Sequence, residues 1–163
     1  MAALVGVPVI LGKHRIESIL PHRGRILFLD KVTFTDERVI GEFKVTEEVC
    51  ESYLRDSSGK LIFPGIYFYE MAVQLLIIGI ILLRNVRMRD FFITRYGEVI
   101  FMNDFVGRVG PNDKLIMELE TVNIKTRRIE SFDLDTDEVI GSEFKVRAGN
   151  YPRAKISSVE LWY

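Results

Sequence analysis

The sequence predicts an α+β fold in which an antiparallel sheet packs on one long helix at its centre. Two observations carry that prediction. The first is LIFPGIYFYEMAVQLLIIGIILL, residues 61–83, which is apolar almost all the way round when set on a helix and so has to be enclosed on most sides. The second is the rest of the chain, where β-branched and aromatic residues alternate with polar ones in short runs, the pattern of half-buried antiparallel strands. With 163 residues, 48% hydrophobic and 28% charged, the chain suits a single domain with its own core. No repeat, low-complexity tract or Gly/Ser-rich linker divides it.

In chain order, KHRIESILP, residues 13–21, reads as a short helix with Ile16, Ile19 and Leu20 on one face and Pro21 as its stop. RILFLDKVTFTDE (25–37) and VIGEFKVT (39–46) read as a hairpin, with Val39, Gly41, Phe43 and Val45 on the buried face of the second strand. EEVCESYLRDSSGK is a polar loop around Ser57, Ser58 and Gly59. The long helix is expected to open near Pro64-Gly65, because proline suits a first helical turn. It should end near Arg84, with Arg84 and Arg87 at the negative end of its dipole. Four strands should follow: DFFITRYGEVIFMND, KLIMELETVNI, KTRRIESFDLDTD and EVIGSEFKVRA, broken at VGRVGPND, at Lys125-Thr126 and at Asp135-Thr136-Asp137. The core then spans about residues 13–147. Residues 148–163 form a C-terminal extension that either docks through Trp162 and Tyr163 or hangs free.

Composition removes several classes of function. With 22 Lys+Arg against 23 Asp+Glu and a net charge of −1, nothing draws the chain as a whole to nucleic acid or acidic membranes. The apolar fraction excludes disorder. The lone Cys50 cannot close an intramolecular disulfide and fits a reducing, cytoplasmic setting. One thiol and two imidazoles, His14 and His22, cannot complete a Cys/His zinc site, and no metal or cofactor is expected. The apolar start, residues 2–12, has neither a basic residue before it nor an A-x-A site after it, so no signal peptide is expected. Pro64, Glu70 and Gln74 interrupt the long apolar segment and leave an unbroken run of nine residues. No membrane span is expected from it, and peripheral membrane contact is a minor alternative.

The most informative stretch for chemistry is the start of that helix. Glu70 and Gln74 are i,i+4 neighbours, with Tyr67 one turn earlier on the same side. A half-buried carboxylate there should have its pKa raised by desolvation, against the pull of the helix dipole, which is how a general acid is kept protonated. The bland reading, that the stripe faces water or that Glu70 caps a neighbouring backbone, stands beside it.

IESILPHRGRILFLDKV, residues 16–32, is similar to the I-x-x-I-L-P-H-R-x-P-F-L-L-V-D-x-V opening of the bacterial 3-hydroxyacyl-(acyl carrier protein) dehydratases. Pro64-Gly65 followed by Glu70 and Gln74 matches the start of that family's central helix, and VGPNDKL, residues 109–115, resembles its V-x-P-G-D-x-L turn. The resemblance runs over about residues 13–146 and implies a hotdog fold: a long helix wrapped by a curved antiparallel sheet, paired into a dimer. It implies loss of water from a 3-hydroxyacyl thioester. In that reaction a His takes the proton beside the thioester carbonyl, and a Glu or Asp of the other subunit protonates the departing hydroxyl. Backbone N–H groups at the helix start polarise the carbonyl. On this match Glu70 is the catalytic carboxylate, and Pro64, Gly65, Tyr67 and Gln74 are the substrate-binding residues around it.

The base is where the chain departs from the pattern. The family's His lies in G-H-F-P-x-x-P, nine residues before the helix glycine, a count that reaches Asp56; counting forward from Thr46 reaches Arg55. Asp56 is the candidate replacement, although a carboxylate of ordinary pKa, about 3.9, is a weak base for a carbon acid. Arg55 is always protonated and cannot serve. His22 reads as a structural part of the Pro-His-Arg motif and His14 as a surface helix residue.

Smaller signals carry less. Arg84, Arg87, Arg89 and Arg95, and then Lys125, Arg127 and Arg128, form basic runs that either steer an acidic carrier protein or are ordinary solvated faces. Glu47 and Glu48 should raise the thiol pKa of Cys50 and keep it inert. The apolar helix is core first and the wall of an acyl tunnel second. Three functions stay open. One is a divergent dehydratase or hydratase in which Glu70 handles the hydroxyl and Asp56 or water replaces the His. Another is a non-catalytic acyl-thioester-binding or structural subunit, and the last is a thioesterase. In each the partner is an acyl chain on acyl carrier protein or coenzyme A, and the assembly is a homodimer, half of a heterodimer or a higher oligomer.

Overall fold

The computed structural model describes residues 7–35, 38–50, 54–84, 92–101, 109–129, 134–148 and 151–162. Its centre is the helix α3, Tyr67–Arg84, buried at every position from Met71 to Ile80, as an all-round apolar helix must be. The turn that leads in begins at Pro64: Tyr67 N donates to Pro64 O and Phe68 N to Gly65 O, each at 3.1 Å.

An antiparallel sheet of eight strands surrounds this helix. The strands are β1 (Val9–Gly12), β2 (Lys31–Phe34), β3 (Val39–Lys44), β6 (Phe92–Tyr96), β7 (Val99–Phe101), β8 (Lys114–Ile129), β9 (Leu134–Ala148) and β10 (Tyr151–Trp162). Their order is β1-β2-β3-β8-β9-β10-β6, with β7 also on β10. The helix lies against β3, β8, β9 and β10, where Leu75, Leu76 and Ile78 join Met117, Leu119, Phe144, Ile156 and Leu161 in one fully buried cluster. Gly41 on β3 permits the approach, since a Cβ there would stand 2.6 Å from Leu29 Cδ2 and 3.1 Å from Leu75 Cδ1.

The smaller elements are α1 (Lys13–Ile19), a 3₁₀ turn at Gly24–Ile26, the helical turn α2 (Glu47–Cys50), and the strands β4 (Leu54–Arg55) and β5 (Leu61–Ile62), which pair with each other. Alternation along β3 is as expected, with Val39, Gly41 and Phe43 buried. The first strand of the expected hairpin is shorter than the sequence suggests. Residues 25–29 stay out of the ladder because the backbone groups of Ile26 and Phe28 are taken by the side chain of Gln74.

Four further expectations are corrected. Residues 9–12 add an edge strand, β1, paired with β2. Asp90 to Asp104 does not make one strand: β6 and β7 are separated at Gly97-Glu98. Lys125-Thr126 and Asp135-Thr136-Asp137 are not turns but lie inside β8 and β9. The register sets Arg128 opposite Asp135 and Lys125 opposite Glu138. Finally, the residues expected to trail beyond the last strand form β10, which pairs with β9 on one side and with β6 and β7 on the other. Its buried residues, Ala154 and Ile156 and then Val159 and Leu161, do not share one two-residue phase, so the strand shows no clean alternation. Tyr163, Arg87 and Arg89 lie outside the described residues, and Arg84, Arg95, Lys125, Arg127, Arg128 and Trp162 are placed by their backbone only.

Two turns brace the start of α3. In VGPNDKL, Asn112 takes a φ of 75°, a left-handed conformation that Asn tolerates where other side chains rarely go. Asn112 N donates to Val45 O and Val45 N to Asp113 O, tying the turn to the end of β3, and Phe63 N donates to Val109 O just before the helix. At the other corner Gly97 N donates to Ser158 O at 2.8 Å. A Cβ on Gly97 would stand 2.8 Å from Ser158 N and crowd the hydroxyls of Ser157 and Ser158. Gly97→Ala is expected to destabilise the fold by about 1–3 kcal/mol through overpacking, a loss that urea denaturation would measure.

Glu42 couples the exposed face of the sheet to pH. Its carboxylate accepts from Lys114 and, at 2.9 Å, from Lys31 Nζ, and these bonds, that to Lys114 first, hold its pKa below the ordinary glutamate value. A depressed carboxylate contributes stability that is full above its unfolded pKa, about 4.3, and is lost as pH falls through its folded value. Thermal denaturation followed from pH 6 downward should show Tm falling below about pH 5, and Glu42→Gln should flatten that fall.

Candidate active site

The site is assembled from the turn after α1 and the first turns of α3. The helix α1 ends as Leu20 N donates to Ile16 O, and Pro21 prevents its continuation. Arg23 then curls the chain, its Nη1 donating to the carbonyls of Leu20 at 2.6 Å and His22 at 2.7 Å. The curl brings His22 to the flank of α3, where Nε2 lies 3.1 Å from Glu70 Oε1; the two side chains are 19% and 32% exposed. Nδ1 of His22 is buried and has no hydrogen-bond partner among the described residues.

Behind the pair stands Gln74, wholly buried. Its Nε2 donates to Ile26 O at 2.7 Å and to Glu70 Oε1 at 2.9 Å, while its Oε1 accepts from Phe28 N at 2.9 Å. The polar stripe therefore does not face water. It clamps the segment after the PHR turn onto the helix and holds Glu70.

Glu70 and His22 sit on the wall of a cavity of about 530 Å³, otherwise lined by Ile26, Phe28, Ile66, Tyr67 and Tyr69. That volume is in the range of small-molecule sites, and an apolar wall with few polar groups is their usual make-up. The Tyr67 ring packs 4.7 Å from Phe28 and 5.7 Å from Phe63, centroid to centroid. Tyr69 Oη donates to Gly97 O at 3.0 Å, so both tyrosines are fixed.

The expectation that desolvation would raise the pKa of Glu70 against the pull of the helix dipole is corrected. Desolvation does push it up, but the hydrogen bonds from His22 and Gln74, with the charge of His22, outweigh it and hold the carboxyl below the ordinary glutamate value. A carboxylate accepting several hydrogen bonds behaves this way.

Asp56 is occupied elsewhere. Its Oδ1 accepts from Ser58 Oγ at 2.6 Å and from the backbone N–H groups of Ser58 and Lys60, both at 2.9 Å. The Ser58 hydroxyl is the main cause of its lowered pKa. Arg55 closes the same loop by donating to Gly59 O at 2.8 Å. The loop between β4 and β5 is thus a self-satisfied turn, and neither residue lines the cavity of this chain. His14 is exposed, 3.8 Å from Glu17. Cys50 is buried, and burial first, then the charge of Asp113, raises its thiol pKa; these, rather than Glu47 and Glu48, are the cause. Among the described residues no group of three or more His, Cys, Asp or Glu could hold a metal ion, and no helix is long and apolar enough to cross a membrane.

His22 is the site residue that the sequence alone does not reveal. It lies 48 positions from Glu70 in the chain, and its one local signal is its place in the PHR turn, which reads equally well as structural.

A buried helix wrapped by this sheet, with a cavity at the start of the helix, defines a hotdog protein. Solved structures agree. The dehydratase heterocomplex ApeI:P from Xenorhabdus doucetiae superposes with a TM-score of 0.62 at 14% identity, over 90% of this chain and 89% of that one. Cj0977, a sigma28-regulated virulence protein from Campylobacter jejuni, gives 0.54 at 11% identity, over 90% and 94%. No protein-family model matches the chain. It is 30% identical over 117 residues to the 3-hydroxyacyl-(acyl-carrier-protein) dehydratase FabZ of Hydrogenobaculum sp. strain Y04AAS1, covering 68% of this chain and 74% of that protein. The chain belongs to that dehydratase family, as a divergent member.

Proposed function

We propose that this protein is a dehydratase-like enzyme that takes a 3-hydroxyacyl thioester, carried on acyl carrier protein or coenzyme A, with its acyl chain in the apolar cavity and its hydroxyl against Glu70. The observation that carries the reading is the placement of Glu70 on the wall of that cavity at the start of the buried helix. Pro64 and Gly65 form the turn ahead of the helical ladder, where N–H groups lack intrahelical acceptors, and Gly65 is the donor assigned to the thioester carbonyl. Tyr67 shapes the acyl wall and Gln74 holds Glu70. We place the enzyme in the cytoplasm as a dimer.

In the family scheme the base comes from the loop that here holds Asp56. Asp56 is held in its own turn by three donors and does not line the cavity of this chain, so dehydration by that route is weakened. The same observation favours a second reading, in which the chain supplies Glu70 to a partner chain that carries the His. Purified protein mixed with 3-hydroxyacyl and 2-enoyl thioesters, followed by enoyl absorbance and thiol release together, separates these readings. Enoyl turnover that needs Glu70 supports the enzyme, and thiol release alone points to hydrolysis. Binding without either supports the subunit, and failure to bind any acyl thioester removes both readings.

A further inference from the structure

We infer that His22 is a positioning residue that holds Glu70 as a carboxylate, so that Glu70 alone takes the C2 proton of the substrate and hands it to the departing hydroxyl. This rests on the acyl-thioester reading above and answers the question it leaves, which group acts as base when the loop histidine is absent.

Geometry supports it at three points. Two donors, His22 Nε2 at 3.1 Å and Gln74 Nε2 at 2.9 Å, converge on one oxygen, Oε1. Charge-assisted bonds of this kind are stronger to a carboxylate than to a neutral acid. Glu70 Oε2 makes no hydrogen bond among the described residues, while Glu70 lines the cavity, so one oxygen is held and the other is left for a ligand. His22 itself is steadied through its carbonyl by Arg23, and with Nδ1 buried and unpartnered its polar edge toward the site is Nε2. Among the described residues, the polar groups that line the cavity with Glu70 are His22 from the turn and Tyr67 and Tyr69 from its own helix, and Gln74 donates to Glu70 from behind. Arg25, in the turn after His22, reaches Glu48 at 3.7 Å.

The step balances within the pair. Oε2 accepts the proton from C2, and the C2–H electrons become the C2=C3 bond as the C3–O bond breaks. The protonated Glu70 then gives that proton to the leaving hydroxide, which departs as water and returns the carboxylate to its starting state. Hydration of an enoyl thioester is the same sequence reversed.

The test combines a titration with kinetics. Protein labelled with ¹³C at the glutamate side-chain carboxyl, with Glu70 assigned by its loss in Glu70→Gln, is titrated by NMR as wild type, His22→Phe and His22→Gln. The Glu70 midpoint should lie below that of an ordinary glutamate in the wild type, move up in His22→Phe and move less in His22→Gln, which keeps a donor. In turnover the acid limb of the pH–kcat profile should move up in step, with kcat at the wild-type limb reduced about tenfold or more and KM little changed. Should His22→Phe fail to fold, the same comparison is read from His22→Gln. A Glu70 midpoint unmoved by either variant, alongside Glu70-dependent turnover, overturns this inference alone, as does a midpoint that rises in His22→Phe while the acid limb of the pH–kcat profile stays where it is. Absence of binding and of turnover with every thioester overturns it together with the acyl-thioester reading, whatever the titration shows.

Discussion

Gln74→Leu is expected to lower the stability of this protein by about 2–6 kcal/mol. Leucine fills nearly the same volume, so the loss is not that of a cavity. Gln74 is wholly buried and satisfies two backbone groups that have left the sheet, the Phe28 N–H and the Ile26 carbonyl. A buried donor or acceptor stripped of its partner costs about 1–3 kcal/mol, and here two are stripped at once. The substitution also removes one of the donors on Glu70, so the Glu70 pKa should rise as stability falls. Urea denaturation at pH 7 reads the first effect. A change below about 1 kcal/mol would mean that the freed groups find other partners, and the account of Gln74 as a clamp would fail.

The second large effect is on activity. Glu70→Gln should reduce enoyl thioester hydration and dehydration by about 10²–10⁴-fold, the usual contribution of a group that moves the proton in the transition state. The amide keeps the shape and an oxygen for His22 and Gln74, and the side chain is one-third exposed, so stability should change by no more than about 1 kcal/mol. That separation distinguishes chemistry from scaffolding. If the Glu70→Gln variant retained most of the activity, the acting group would have to be sought elsewhere on the cavity wall.

How much of this is legible in the sequence depends on how local the cause is. The buried helix and the alternation of β3 follow from periodicity, a property of neighbouring residues. Glu70 and Gln74 stand out because one helical turn joins them. The loop text LRDSSGK shows that the family's histidine is missing, but not that Asp56 is absorbed by Ser58 and Lys60, because a turn's hydrogen bonds depend on backbone angles as well as residue types. His22 escapes notice for the opposite reason, since its partner lies on another element and only the fold brings them together. The direction of the Glu70 pKa goes astray with it: burial can be foreseen from an apolar helix, whereas the two donors that outweigh burial arrive from a distant turn and from the rotamer of Gln74. The charged residues of β8 and β9 look like punctuation until the register sets them opposite one another.

The anchoring of the helix entrance has a kinetic side. Phe63 is held by Val109, Val45 by Asp113, and Phe28 by Gln74 across a separation of 46 residues, while β3 pairs with β8 from Lys44↔Lys114 to Val39↔Leu119. Each of these closures spans a long stretch of chain, and closures of that kind are made late because their entropy is spent before their contacts are gained. The two walls of the cavity, residues 22–28 and 66–70, are each short, but only a closure across the chain brings them together. A nascent chain can therefore have its helix and its first hairpin in place and still possess no site, until that closure is made.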